Sequence, residues 1–249
     1  MLTPTRSTLA ASLLTCVIGL YSLTALSYAS EPLPKFSVRY VLENNFIKGG
    51  EAKLSLTKKE DHYQVLLETK PTGVFRLTKK GKIRETAELP SLSPPFLSDV
   101  YTFTNFGKKD RSFTAAYNRK NGEATIVTGA SATNVTIKEP VVDRLSMTLT
   151  LMQRLRDQPD VNSFSITTMD AKGVETYDFT RRGQQTLDTR LGKLDTIRVD
   201  RTREGSRRTI VTWLAIIGPD ALPVPVQIEQ YKDNDMVVRL RITDFSVIE

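Results

Sequence analysis

A chain of 249 residues with 39% hydrophobic content can bury a core, but its single histidine and single cysteine leave too few ligands for a zinc site. The formal charge of +7 is a moderate excess. It reads as solvated surface rather than a nucleic-acid footprint, so no nucleic-acid partner, no metal and no cofactor are expected.

The first 29 residues carry one charge, Arg6, then an apolar stretch from Leu9 to Leu26, then small residues at Ser27 and Ala29 around Tyr28. This is the pattern of a cleaved secretory signal. An uncleaved N-terminal anchor is the competing reading, because the stretch approaches the length of a membrane span. Cys16 raises a lipoprotein reading, which Leu14, Thr15 and the apolar residues beyond it oppose. Removing residues 1–29 takes Arg6 from the 35 basic groups and leaves 34 against 28 acidic ones, with no cysteine. A thiol-free chain entering an oxidising space fits a bacterial periplasm, with residues 30–249 as a single domain.

From Phe36 the chain alternates, with Phe36, Val38, Tyr40 and Leu42 on one side, as in a half-buried strand. Gly49-Gly50 is expected to turn it. Ala52, Leu54 and Leu56, then Tyr63, Val65 and Leu67, form the inner faces of two more strands of a meander. After Pro71-Thr72-Gly73 come Val74–Leu77 and Lys82–Leu89, and the Pro90–Pro95 run breaks into a loop. A strand is expected over Phe96–Thr104. Arg111–Asn118 and Ala124–Thr128 flank Asn121-Gly122, which suits a type I′ hairpin turn. Gly129–Thr133 reads as a loose polar stretch before a short strand at Val135 and Ile137.

The spacing of Val141, Leu145, Leu149, Met152 and Leu155 predicts one amphipathic helix over 140–156. Pro140 suits its first position, Arg154 and Arg156 suit its C-terminal end, and Asp157, Pro159 and Asp160 stop it. Its other face carries Arg144, Ser146, Thr150, Gln153, Arg154 and Arg156. Beyond it, strands over Phe164–Met169, Val174–Arg181, Gln184–Thr189, Lys193–Arg203 and Arg207–Leu214 turn at Asp170–Gly173, Gly192 and Gly205. Gln227–Tyr231 and Met236–Val247 close the chain around Asp233-Asn234-Asp235. About fourteen strands with one helix and no linker predict a mainly β fold. The expected architecture is one antiparallel sheet, strongly curved or closed as a barrel or half-barrel, with the helix packed on it. Two sandwiched sheets are the alternative.

No catalytic constellation emerges. His62 is the only imidazole and sits at a strand start, no Gly-x-Ser-x-Gly surrounds a serine, and Ser55–Lys58 lies on a strand rather than a helix start. Asp233-Asn234-Asp235 lacks the oxygens of a calcium loop. The residues that stand out are basic: Arg198, Arg201, Arg203, Arg207 and Arg208 occupy the two arms of one hairpin around Glu204-Gly205-Ser206. They could meet a phosphate or carboxylate, or simply protect strand edges. Trp213 shares parity with Thr209 and Val211 and is expected in the core or lining a cavity.

Asp143-Arg144-Leu145-Ser146 belongs to an ordered set of short motifs. The others include Pro71-Thr72-Gly73, Gln185–Gly192, Val199–Arg203, Arg207-Arg208-Thr209, Trp213-Leu214-Ala215 and Pro225–Glu229. Over about Phe36 to Glu249 the chain resembles the bacterial DUF3108 family. That resemblance implies an exported domain of unknown function, a β-rich barrel or half-barrel, and no catalytic residues to carry over.

The expected function is non-enzymatic: a periplasmic carrier for a lipid, acyl chain or lipoprotein segment. The Arg198–Arg208 hairpin would meet the charged head, and Trp213, Leu149 and Met152 would meet the apolar part. An envelope interaction protein, binding another protein or an anionic polymer and at most peripheral to the membrane, is the second expectation. A carboxylate-dependent glycan enzyme is the third. Oligomeric state is left open by the sequence.

Overall fold

The computed structural model describes residues 32–44, 47–73, 81–108, 111–138 and 140–248. The leader over 1–29 and the strand expected over Val74–Leu77 lie outside those residues.

Among the described residues the sheet has fourteen antiparallel strands. The first eight are β1 (Phe36–Asn44), β2 (Ile47–Lys58), β3 (Tyr63–Pro71), β4 (Ile83–Leu89), β5 (Val100–Asn105), β6 (Phe113–Asn118), β7 (Glu123–Thr128) and β8 (Ser131–Thr136). The helix α1 (Arg144–Asp157) follows. The last six are β9 (Ser163–Asp170), β10 (Gly173–Thr189), β11 (Gly192–Thr202), β12 (Arg208–Ile217), β13 (Leu222–Lys232) and β14 (Asp235–Val247). Each strand pairs with its sequence neighbours, except that β8 and β9 do not pair with each other and β1 pairs with β14, so the order runs β8 to β1, then β14 to β9. The sheet is curved and unclosed, with β8 and β9 as its edges. Its inner face follows the alternation in the sequence: Tyr40 opposes Ala52 and Ile242, Leu54 opposes Leu67, and Val65 opposes Ala87.

Several local expectations are corrected. Gly49 and Gly50 lie inside β2, not in a turn. Gly50 is required there because a Cβ would come within 2.7 Å of the Lys70 carbonyl on β3. Phe96 belongs to the loop after β4, fully buried with φ near 58°, and β5 starts only at Val100. Its aromatic ring is core without being strand. The β6–β7 connection uses four residues with positive φ at Gly122 alone, so it is not a two-residue type I′ turn. That geometry belongs to Asp233-Asn234, both of which have positive φ. Ser131–Thr133 is not loose but forms the start of β8. The two strands expected over Val174–Arg181 and Gln184–Thr189 are one, β10, bent by a bulge between Arg181 and Gln184.

The helix begins later than the pattern suggested. Asp143, not Pro140, starts it: the carboxylate accepts from the Leu145 N–H at 2.7 Å, the Ser146 N–H at 3.0 Å and the Ser146 hydroxyl at 2.6 Å. Val141 and Val142 stay extended, as β-branched residues prefer. Val142 bonds the β9 edge through its N–H to the Thr167 carbonyl (3.1 Å) and its carbonyl to the Met169 N–H (2.9 Å). Arg119, from the β6–β7 turn, donates to the Val141 and Ser98 carbonyls. The chain just before α1 thus straps one end of the open sheet to the other. Ser146 and Gln153, expected on the polar face, are buried instead. The loop after β4 lies along α1, where the Thr150 hydroxyl donates to the Pro95 carbonyl at 3.2 Å.

Candidate functional site

Side chains alternate along a strand, so β11 sends Arg198 and Asp200 to one face and Val199 and Arg201 to the other. This alternation divides the arginine cluster. Arg201 stands opposite Phe179 on β10 and Ile210 on β12, on the face that carries α1. Arg198 stands opposite Trp213, on the reverse face.

On the α1 side, Leu67, Ile210, Ile228 and Leu240 project towards Leu145, Met147 and Leu151 of the helix across a chamber of about 230 Å³. Those four strand residues remain partly exposed, because the helix does not fill the space above them. Next to the chamber lies a polar recess of about 310 Å³, bordered by Lys172, Arg203, Arg208, Asp170, Glu175, Tyr177 and Gln230. Arg144, Met147, Arg201 and Ile210 line both, so apolar chamber and charged recess share a wall.

The charges there are unevenly matched. Glu85 accepts from the Tyr101 hydroxyl at 2.6 Å and faces Arg144 at 3.8 Å. The Glu85 carboxylate holds the Arg144 guanidinium firmly protonated. Glu175 pairs with Arg203 and accepts from the Tyr177 hydroxyl at 2.9 Å. Burial, helped by that contact, pushes the Tyr177 hydroxyl up. Arg201 has no such partner among the described residues. Its Nη1 reaches Met147 Sδ at 3.5 Å, its guanidinium lies 4.8 Å from the centre of the Tyr177 ring, and its Nε is buried without a hydrogen bond. Burial, and then the nearby charge of Arg144, pushes it down to about 10. At neutral pH it remains a cation.

The other expected site residues are placed elsewhere. Trp213 is buried on the reverse face, its indole N–H donating to Gln185 at 3.1 Å, with Arg198 over its ring. Arg198 pairs with Asp200 at 2.9 Å, and Arg182 shares that carboxylate. Arg190 at the β10–β11 tip reaches over that face to line a cleft with Val41, Val226 and Arg241. Arg207 is exposed and faces Asp233 at 3.3 Å, while Arg208 borders the recess. Leu149 and Met152 are both 0% exposed and line neither cavity. They pack in the core, and the chamber takes Met147 and Leu151 instead. The five arginines therefore form no single cluster: Arg201, Arg203 and Arg208 meet at the recess, and Arg198 is excluded from it by parity. The adjacent Asp143 and Arg144 take separate roles. Arg144 meets Glu85 of β4, and Asp143 caps the helix.

The sequence matches the family described as protein of unknown function (DUF3108) over residues 35–240. The chain belongs to the DUF3108 family. None of the curated proteins matches it. Among solved structures, this DUF3108 chain is similar to the β-barrel-like protein of the domain of unknown function DUF1849 from Brucella abortus. The TM-score is 0.56 at 9% identity, covering 88% of this chain and 99% of that one. At that identity the likeness concerns the fold alone, a β-barrel-like sheet. A protein with a YmcC-like fold from Bacteroides fragilis NCTC 9343 matches over 86% of this chain and 97% of its own, at 8% identity and a TM-score of 0.29. At that score the two chain paths diverge too far to inform the DUF3108 fold.

Proposed function

We propose that this DUF3108 protein is a periplasmic, non-enzymatic carrier that shelters the apolar part of an amphiphile beneath α1. The amphiphile would be a lipid, a free acyl chain or the acyl chain of a lipoprotein segment. The carrying observation is the chamber itself, where Leu67, Ile210, Ile228 and Leu240 face Leu145, Met147 and Leu151 with open space between. The lining is mostly apolar, with Glu85, Arg144, Arg201, Thr148 and Thr212 as its polar members, and its apolar part favours an apolar guest. Glu85, the acid that lines the chamber, is engaged by Tyr101 and Arg144, and Glu175 of the neighbouring recess by Arg203 and Tyr177. This supports binding over general acid–base chemistry. Of the hairpin arginines on which an envelope interaction protein would rely, Arg198, Arg203 and Arg207 already have carboxylate partners.

The test is native mass spectrometry of protein taken from its own compartment under gentle conditions. Bound species that dissociate in organic solvent are expected. An Ile228→Trp variant, which fills the chamber, is expected to lose them. A clean ligand-free mass for the parent protein overturns the reading.

A further inference from the structure

The recess beside the chamber holds an arrangement that protein groups alone leave incomplete. Around the wall that chamber and recess share, Arg144, Arg201 and Arg203 stand against two carboxylates, Glu85 of the chamber and Glu175 of the recess. Each carboxylate is already shared between one arginine and one tyrosine hydroxyl. Arg201 is left with a thioether sulfur, which is a weak acceptor, an aromatic face and an Nε that donates to nothing. A shielded guanidinium with no carboxylate in contact is costly; Glu85 acts on it only through space, and a second cation, Arg144, lines the same wall. Lys172 and Arg208 add positive charge at the rim, against Asp170. The position matters as much as the charge. Arg201 lines both cavities, so an anion bonded to it would place its attached chain at the entrance to the apolar chamber.

We propose that Arg201, flanked by Arg144, is the seat for one anionic group, a carboxylate or a phosphate, at the head of the amphiphile whose chain enters the chamber. This rests on the carrier reading above. It adds that the ligand is acidic, with its head fixed at the shared wall rather than at the exposed tip of the β11–β12 hairpin. Guanidinium suits either head, because it presents paired N–H donors to two oxygens of one anion.

The experiment uses N-phenyl-1-naphthylamine, a neutral apolar probe, displaced by dodecanoate, dodecyl phosphate or dodecanol, each below its micelle concentration. The three competitors share one chain and differ in the head. At least one acidic competitor should displace the probe at a concentration about tenfold lower than dodecanol, the scale of one charge-assisted hydrogen bond. Whichever acid is stronger identifies the head. Arg201→Gln should bind the probe as before and lose the preference. If the probe binds but all three competitors are equal, the anion seat is overturned while the chamber stands. If the probe does not enter, the chamber reading fails, and the seat is read separately from the melting temperature in inorganic phosphate against chloride of equal ionic strength. A phosphate-specific rise in the parent protein supports the seat, and no rise overturns it. Should Arg201→Gln fail to fold, the comparison of heads on the parent protein decides alone.

Discussion

Asp143 carries two opposed effects in one side chain. Its carboxylate caps α1 through three hydrogen bonds, yet burial pushes its pKa up from the usual carboxylate range. A carboxyl whose folded pKa lies above its unfolded value gives the fold full support at low pH and less as pH rises beyond the unfolded value of 3.8. Asp143→Asn keeps an acceptor for the cap and removes the buried charge. Its stability relative to the parent protein should therefore improve between pH 4 and pH 7, as measured by urea unfolding at both. Asp143→Ala, which leaves the helix uncapped, should cost about 0.5–2 kcal/mol at either pH. Grouping residues by closeness in sequence misleads at this scale. Arg198 and Arg201 are three apart, which on a strand means opposite faces, and the alternation that placed Leu67 inward could have divided them. The pairing of Glu175 with Arg203 and of Glu85 with Arg144 had no signal, because a sequence does not show which distant carboxylate meets which cation.

At the scale of elements, α1 has one side in the core and one side over a cavity, and the two should respond differently to truncation. Leu149 is completely enclosed, so Leu149→Ala should cost about 2–5 kcal/mol in urea unfolding. Leu151 borders the chamber, where contacts are already missing on one side, so Leu151→Ala should cost less. Equal losses would mean that the chamber wall is as tightly packed as the core. The periodicity of α1 and of most strands was legible because each buries one consistent face. Its true start was not, since Val141 and Val142 fit a helical stripe as well as a strand, and only the β9 edge decides between them. Phe96 is a similar case: an apolar residue after a proline run can be strand or tucked loop, and burial favours both.

For the whole molecule, the curved single sheet followed from strand count and the absence of a linker. Its openness did not, because closure depends on whether β8 and β9 meet, and neither edge announces its partner. The strap before α1 stands where that pairing would have been. The remaining consequence concerns β1 and β14. They pair along most of their length, from Phe36 opposite Val247 to Glu43 opposite Arg239, and the Ile248 N–H donates to the Lys35 carbonyl at 2.8 Å. Among the described residues, every other hydrogen-bonded strand pairing in the sheet is between sequence neighbours. Followed through space the polypeptide is therefore a ring, with α1 as the bridge on one side and the β1–β14 seam on the other. A circular permutant of residues 32–248, joined by a short linker across the seam and opened between β8 and α1, would turn that long-range pairing into a local hairpin. It should refold faster than the natural order in stopped-flow measurements at similar equilibrium stability, since loop closure is the cost removed. An unchanged refolding rate would mean that the seam is not the slow contact, and that the barrier lies in seating α1 under its strap.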